Sequence, residues 1–102
     1  MTWLLDAPTV TLEESQTMKG GDPVSIDCSA FVTDANPAAT SFQWIRNSEV
    51  VSMDSVLTFD SVTRDDAGAY TCWAFNEFYD GNQGKGESTI NLLVQCKFYI
   101  IY

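Results

Sequence analysis

Few residues in this chain are of a type that could do chemistry, and their spacing points to crosslinking rather than catalysis. Three cysteines stand at Cys28, Cys72 and Cys96. Histidine is absent from all 102 residues. That removes the usual general base of serine and cysteine hydrolases, and with it the commonest metal ligand. The 14 Asp and Glu residues are scattered along the chain, with no spacing that would gather two carboxylates into one pocket. No enzymatic activity, cofactor or metal site is expected. What remains is sulfur chemistry, and the elements that carry the thiols decide whether two of them can meet.

Those elements read as strands. Val24 to Phe31 alternates, with Val24, Ile26, Cys28 and Ala30 on one face and Ser25, Asp27 and Ser29 on the other. A period of two places the first set in a core and the second in water. Ala69 to Phe75 likewise shares Tyr70, Cys72 and Ala74 on one face, and Ser41 to Arg46 shares Phe42 and Trp44. Thr9 to Leu12, Val50-Val51, Val56 to Val62 (with Leu57 and Phe59 inward) and Ser88 to Gln95 complete about seven strands. Gly20-Gly21-Asp22-Pro23, Asn47-Ser48-Glu49 and Thr63 to Gly68 supply turns. Thr33 to Thr40 and the glycine-rich Asn76 to Glu87 read as end loops. Helical periodicity is missing, so the pattern is an all-β sandwich or barrel. In a sandwich, a bond between Cys28 and Cys72 would clamp two sheets across a core, with Trp44 placed to pack on the sulfurs.

Length and composition fit one folded domain: 102 residues, 45% hydrophobic and 13% aromatic. The net charge of −9 repels phosphate backbones and anionic headgroups, so no nucleic-acid partner is expected, and a partner with a basic patch would be steered in. The longest apolar tail, Phe98 to Tyr102, falls far short of the roughly 18 residues that cross a bilayer, so no membrane insertion is expected. Asn36, Asn47, Asn76, Asn82 and Asn91 all lack Ser or Thr at the third position. Both sheet faces are therefore open to packing without N-glycan.

The run Asp66-Ala67-Gly68-Ala69-Tyr70-Thr71-Cys72 matches a D-x-G-x-Y-x-C motif at each defined position, and Trp44 lies between Cys28 and Cys72. On these residues the chain resembles the immunoglobulin superfamily over Pro8 to Gln95. The resemblance implies a Greek-key β-sandwich of two antiparallel sheets and a Cys28–Cys72 disulfide packed on Trp44. It also implies a tyrosine corner in which the Tyr70 hydroxyl bonds backbone near Asp66. The motif's aspartate commonly pairs with an arginine, and Arg46 and Arg64 are both candidates. A disulfide implies an oxidising compartment, and hence a secreted or cell-surface location. The short interval from Trp44 to Tyr70, with Ser55-Val56-Leu57-Thr58-Phe59 before the motif, resembles I-set or C2-type repeats of nephrin-like, hemicentin-like and carcinoembryonic-antigen-like proteins. Gly84-Lys85-Gly86 is similar to a variable-domain bulge, but the missing middle strands argue against that class.

The expected function is an extracellular protein-binding module of an adhesion or receptor ectodomain, binding a protein ligand or a copy of itself. The alternatives are a structural spacer of the intracellular muscle type and a soluble immune recognition domain. Phe78, Tyr79 and Asp80, on a glycine-flanked loop, are the expected contact residues, with Thr33 to Thr40 as a rim. Residues 1–7 read as a linker from a preceding domain and 96–102 as a C-terminal tail. Cys96 is left to pair with a neighbouring domain, bridge a dimer or stay free, and the tail offers a second route to dimerisation.

Overall fold

The computed structural model describes residues 5–78 and 81–95. Nine strands follow in chain order: β1 (Thr9–Val10), β2 (Ser15–Lys19), β3 (Val24–Asp27), β4 (Val32–Thr33), β5 (Ser41–Arg46), β6 (Glu49–Ser52), β7 (Val56–Phe59), β8 (Gly68–Glu77) and β9 (Gln83–Gln95). Five of them form one sheet in the order β2-β9-β8-β5-β6. The opposite layer consists of two antiparallel pairs, β1 with β4 and β3 with β7. Between the layers lie Val10, Leu12, Met18, Val24, Ile26, Cys28, Trp44, Leu57, Val62, Tyr70, Cys72, Ala74, Ile90 and Leu92. This is the all-β sandwich read from alternation, with the short β4 at the start of the expected Thr33 to Thr40 loop and four larger differences from that reading.

The first strand ends at Val10, and β2 is a strand not anticipated. β2 runs parallel to β9, from Ser15 opposite Asn91 to Lys19 opposite Gln95, so the larger sheet is mixed rather than antiparallel. Its sequence, Ser-Gln-Thr-Met-Lys, buries only Met18. One inward side chain in five residues is too little alternation to reveal a strand.

The second difference is a break in the run Val24 to Phe31. A single 3-10 turn, Cys28–Phe31, follows β3, and Ala30 is exposed rather than inward. Asp27 causes the break locally, because its carboxylate accepts from the Ser29 amide at 3.0 Å and the Ser29 hydroxyl at 2.7 Å. The Ser29 hydroxyl bond is the main reason the Asp27 carboxyl sits below its ordinary range. Cys28 keeps its inward position and is fully buried.

Third, the expected twelve-residue loop from Asn76 to Glu87 is much shorter. β8 continues to Glu77 and β9 starts at Gln83, with Asn76 opposite Gly84 and Glu77 opposite Gln83. Fourth, and as a result, Gly84 and Gly86 are ladder residues rather than part of that loop. The Asn47-Ser48 turn behaves as read: both residues have positive φ (52° and 66°), the primed-turn geometry that joins β5 to β6 tightly.

Candidate functional site

Strand register brings the sulfur pin together. Trp44 on β5 lies directly opposite Cys72 on β8, and Cys28 meets Cys72 from the other layer with Cα atoms 6.5 Å apart. Cys28, Cys72 and Trp44 have no exposed surface. The Trp44 indole N–H donates to the Ser55 carbonyl at 2.9 Å, and the same carbonyl accepts from the Cys28 amide at 2.8 Å. One backbone oxygen thus satisfies the polar edge of the ring and ties both Trp44 and Cys28 to the chain just before β7. Leu57, the next inward residue, packs opposite Ile26.

The corner around Tyr70 is a closed polar network. The Tyr70 hydroxyl donates to the Asp66 carbonyl at 2.6 Å and accepts from Arg46 Nη1 at 2.9 Å. Arg46 Nη2 donates to the carbonyls of Asp65 (2.7 Å) and Ala67 (2.9 Å), and its guanidinium lies 5.1 Å from the Tyr70 ring centroid. Arg46 therefore holds the turn by its backbone on either side of Asp66. The Asp66 carboxylate instead accepts from the Thr63 amide at 2.8 Å and the Thr63 hydroxyl at 3.2 Å, which caps the 3-10 turn Arg64–Asp66. Burial is the largest influence on the Tyr70 phenol and raises its pKa above 10.0, against the pull of Arg46. Gly68 sits at φ +134°, where a side chain would strain the backbone, so the motif's glycine is required by conformation.

At the opposite end a second polar device holds the leading segment. Asp6 and Asn36 exchange both backbone bonds at 3.0 Å. Asn76, fully buried on β8, donates from Nδ2 to the carbonyls of Asp6 (2.7 Å) and Pro37 (2.8 Å), while its Oδ1 has no hydrogen-bond partner among the described residues. The glycines of β9 make room for the segment. A Cβ on Gly84 would stand 2.8 Å from the Phe78 ring and 3.0 Å from Ala7 Cα, and one on Gly86 would overlap the Pro8 carbonyl. Phe78 is accordingly half-buried against Gly84. Tyr79, Asp80, Cys96 and the tail to Tyr102 lie outside the described residues.

The outer face of the large sheet, by contrast, carries apolar groups that sequence reasoning did not single out as a surface. Ile45, Thr71, Trp73 and Val50 line an open depression of about 590 Å³ together with Asn47, Ser48, Ala69 and Glu87. Trp73 meets Phe75 edge-on at 6.2 Å, and the Lys85 ammonium sits 3.5 Å from the Trp73 ring centroid. Lys85 Nζ is also 3.8 Å from a Glu87 carboxylate oxygen. At the free edge Val50 and Val51 are 49% and 47% exposed, and Met53 beyond them 71%. The signal was present in the alternation: Ile45, Trp73 and Phe75 are large apolar residues at outward positions. Among the described residues no acidic, His or Cys cluster could hold a metal ion, and no helix is long and apolar enough to cross a membrane.

The chain also matches known proteins. It is 33% identical over 103 residues to protein turtle homolog B of Rattus norvegicus, covering 92% of this chain but 7% of that protein. Among solved structures, murine CRIg superposes with a TM-score of 0.67 at 21% identity, covering 88% of this chain and 99% of that one. The N-terminal four immunoglobulin domains of Dscam1 isoform 8.4 give 0.63 at 21% identity, covering 86% of this chain and 20% of that one. At these identities the structural likeness concerns the fold. The profile of the immunoglobulin domain matches residues 7–76, and with the pin, the corner and the sandwich in place, the chain belongs to the immunoglobulin domain family, whose members of this kind are not enzymes.

Proposed function

We propose that this chain is an extracellular protein-binding module of a cell-adhesion or receptor ectodomain, and that it meets its partner through the outer face of β9, β8, β5 and β6. One observation carries the choice of surface. The outward positions of Ser41–Ile45, Ala69–Glu77 and Gln83–Leu93 hold only three charges: the anions Glu87 and, at the far end, Glu77, and the cation Lys85. In a molecule of net charge −9, the excess acid therefore lies elsewhere, and this face offers Trp73, Phe75, Ile45 and Val50 with little charge to desolvate. Depletion of charge around aromatic anchors is the composition of an interface core. The end-loop alternative is weaker, because Phe78 is spent on covering Gly84.

The match to one part of a longer turtle-type protein and to one domain of four-domain chains supports a place in a tandem array. Asp6, Ala7 and Pro8 run along the loop end of the domain, where a preceding module would attach. The sheet face is then the larger surface left free. The Cys28–Cys72 bond supports an oxidising, extracellular setting and weighs against the muscle-type spacer.

The test is adhesion by multivalent display. Beads coated with the native chain are expected to cluster with one another or to bind cell surfaces. Trp73→Ser with Val50→Glu should abolish that contact while the thermal midpoint stays within about 4 °C, as for a surface change of under 1 kcal/mol. Retained adhesion in this variant, with loss on Phe78→Ala, would move the contact to the end loops.

A further inference from the structure

Trp73 is an aromatic face that the molecule already covers with a cation of its own. The Lys85 ammonium lies 3.5 Å from the ring centroid, and Glu87, directly across from Trp73 in the ladder, stands 3.8 Å from the same ammonium. A ring face, a carboxylate beside it and a cation between them make a complete recognition arrangement for a positive group. Both charged side chains remain substantially exposed, at 41% and 57%. The internal cation is thus held by solvated, exchangeable contacts rather than locked into the fold. The net charge of −9 gives the molecule as a whole a negative field that attracts positive groups.

We infer that Trp73 and Glu87 form a docking point for an arginine or lysine side chain presented by a protein partner, with Lys85 as the built-in competitor that the partner's cation displaces. This rests on the sheet face being the contact surface and specifies the partner's chemistry there: a cation set within an apolar contact, the apolar part covering Ile45 and Val50. Displaced Lys85 moves into water without leaving a buried charge, because it is already half in solvent. The net exchange is one cation–π and one carboxylate contact for another. The gain comes from arginine, whose flat, weakly hydrated guanidinium can stack on the ring while donating sideways to Glu87.

The experiment uses the whole chain, labelled with 15N, and N-acetyl-arginine methylamide as the probe, with N-acetyl-citrulline methylamide as its uncharged isostere. The Trp73 indole resonance is identified by its absence in Trp73→Phe. The arginine probe is expected to shift the Trp73 and Glu87 signals and the citrulline probe to leave them in place. Lys85→Ala, by removing the competitor, should tighten the arginine probe about two- to fivefold, and Glu87→Gln should weaken it by a similar factor. Equal response to citrulline, or unchanged or weaker binding in Lys85→Ala, would overturn the inference. The two readings separate cleanly: if Trp73→Ser with Val50→Glu abolishes adhesion but the probe results fail, the face stands and the cation site falls. If adhesion survives that variant, the face itself is wrong.

Discussion

Each end of the sandwich holds a backbone segment with a buried polar side chain, and the two ends do it differently. At the Tyr70 corner the hydroxyl both donates and accepts, and Arg46 reaches two further carbonyls. At the leading end Asn76 uses both amide hydrogens but leaves Oδ1 unpartnered among the described residues, in a fully buried site. The corner closes a loop from Asp66 to Tyr70 within one motif. The Asn76 clamp joins residues 70 and 39 positions away. The corner's bonds span 4 to 24 positions and its hydroxyl is paired in both directions, whereas the clamp spans 39 and 70 and is partly satisfied, so the clamp depends on more of the fold having formed. The leading end should therefore be the first part of the domain to open.

The largest effect expected is that of the pin that lies between these ends. Replacing Cys28 and Cys72 together by Ala reopens a separation of 44 positions and should cost about 4 kcal/mol on the chain-entropy estimate. Urea unfolding with and without the bond measures it. Both ends should weaken together, and a change confined to one end would break the picture of a shared pin.

Next comes Gly86→Val, which forces a side chain into the Pro8 carbonyl. It should cost about 1–3 kcal/mol as overpacking and free the leading segment. Hydrogen exchange at the Asp6 and Asn36 amides should rise while the amides around Tyr70 stay protected. Uniform acceleration would mean that the two ends do not open separately.

Tyr70→Phe and Asn76→Ala compare the two devices directly. Removing the phenol strands an Arg46 donor and the Asp66 carbonyl and should cost about 1–3 kcal/mol. Asn76→Ala should cost less, about 1–2 kcal/mol, because the Asp6 carbonyl keeps its bond from Asn36 and one amide atom is already unpaired. A larger loss for Asn76→Ala in chemical denaturation would reverse the ranking of the ends.

The smallest effect is that of pH on the corner. Burial raises the Tyr70 pKa above 10.0, so the unfolded chain ionises first as pH rises. The stability that Tyr70 contributes is present in full below pH 10 and declines from there toward the raised native value. Tyr70→Phe should flatten that part of the stability profile relative to native, and parallel profiles would show that the phenol is not the group responsible.

Much of this was legible without coordinates, for identifiable reasons. The motif Asp66 to Cys72, the inward positions of Cys28, Trp44 and Leu57, and the Asn47-Ser48 turn all depend on period-two alternation and near-neighbour chemistry, which a chain displays along its own length. The 3-10 break after Asp27 was missed because an apolar residue at position 30 continues the pattern even though its backbone does not. β2 was missed because a strand with one buried side chain has almost no pattern to show.

Composition and spacing by themselves determined an acidic, histidine-free, β-rich chain with two inward cysteines and one tryptophan between them. Tertiary structure alone decided that Arg46 supports Tyr70, that β2 runs parallel to β9, and that Gly84 and Gly86 make space for Ala7 and Pro8. It also gathered Ile45, Val50 and Trp73 from three strands onto one sparsely charged face. The division has a simple cause. Alternation reports which side of a strand a residue takes, but only the lateral order of strands says which residues become neighbours.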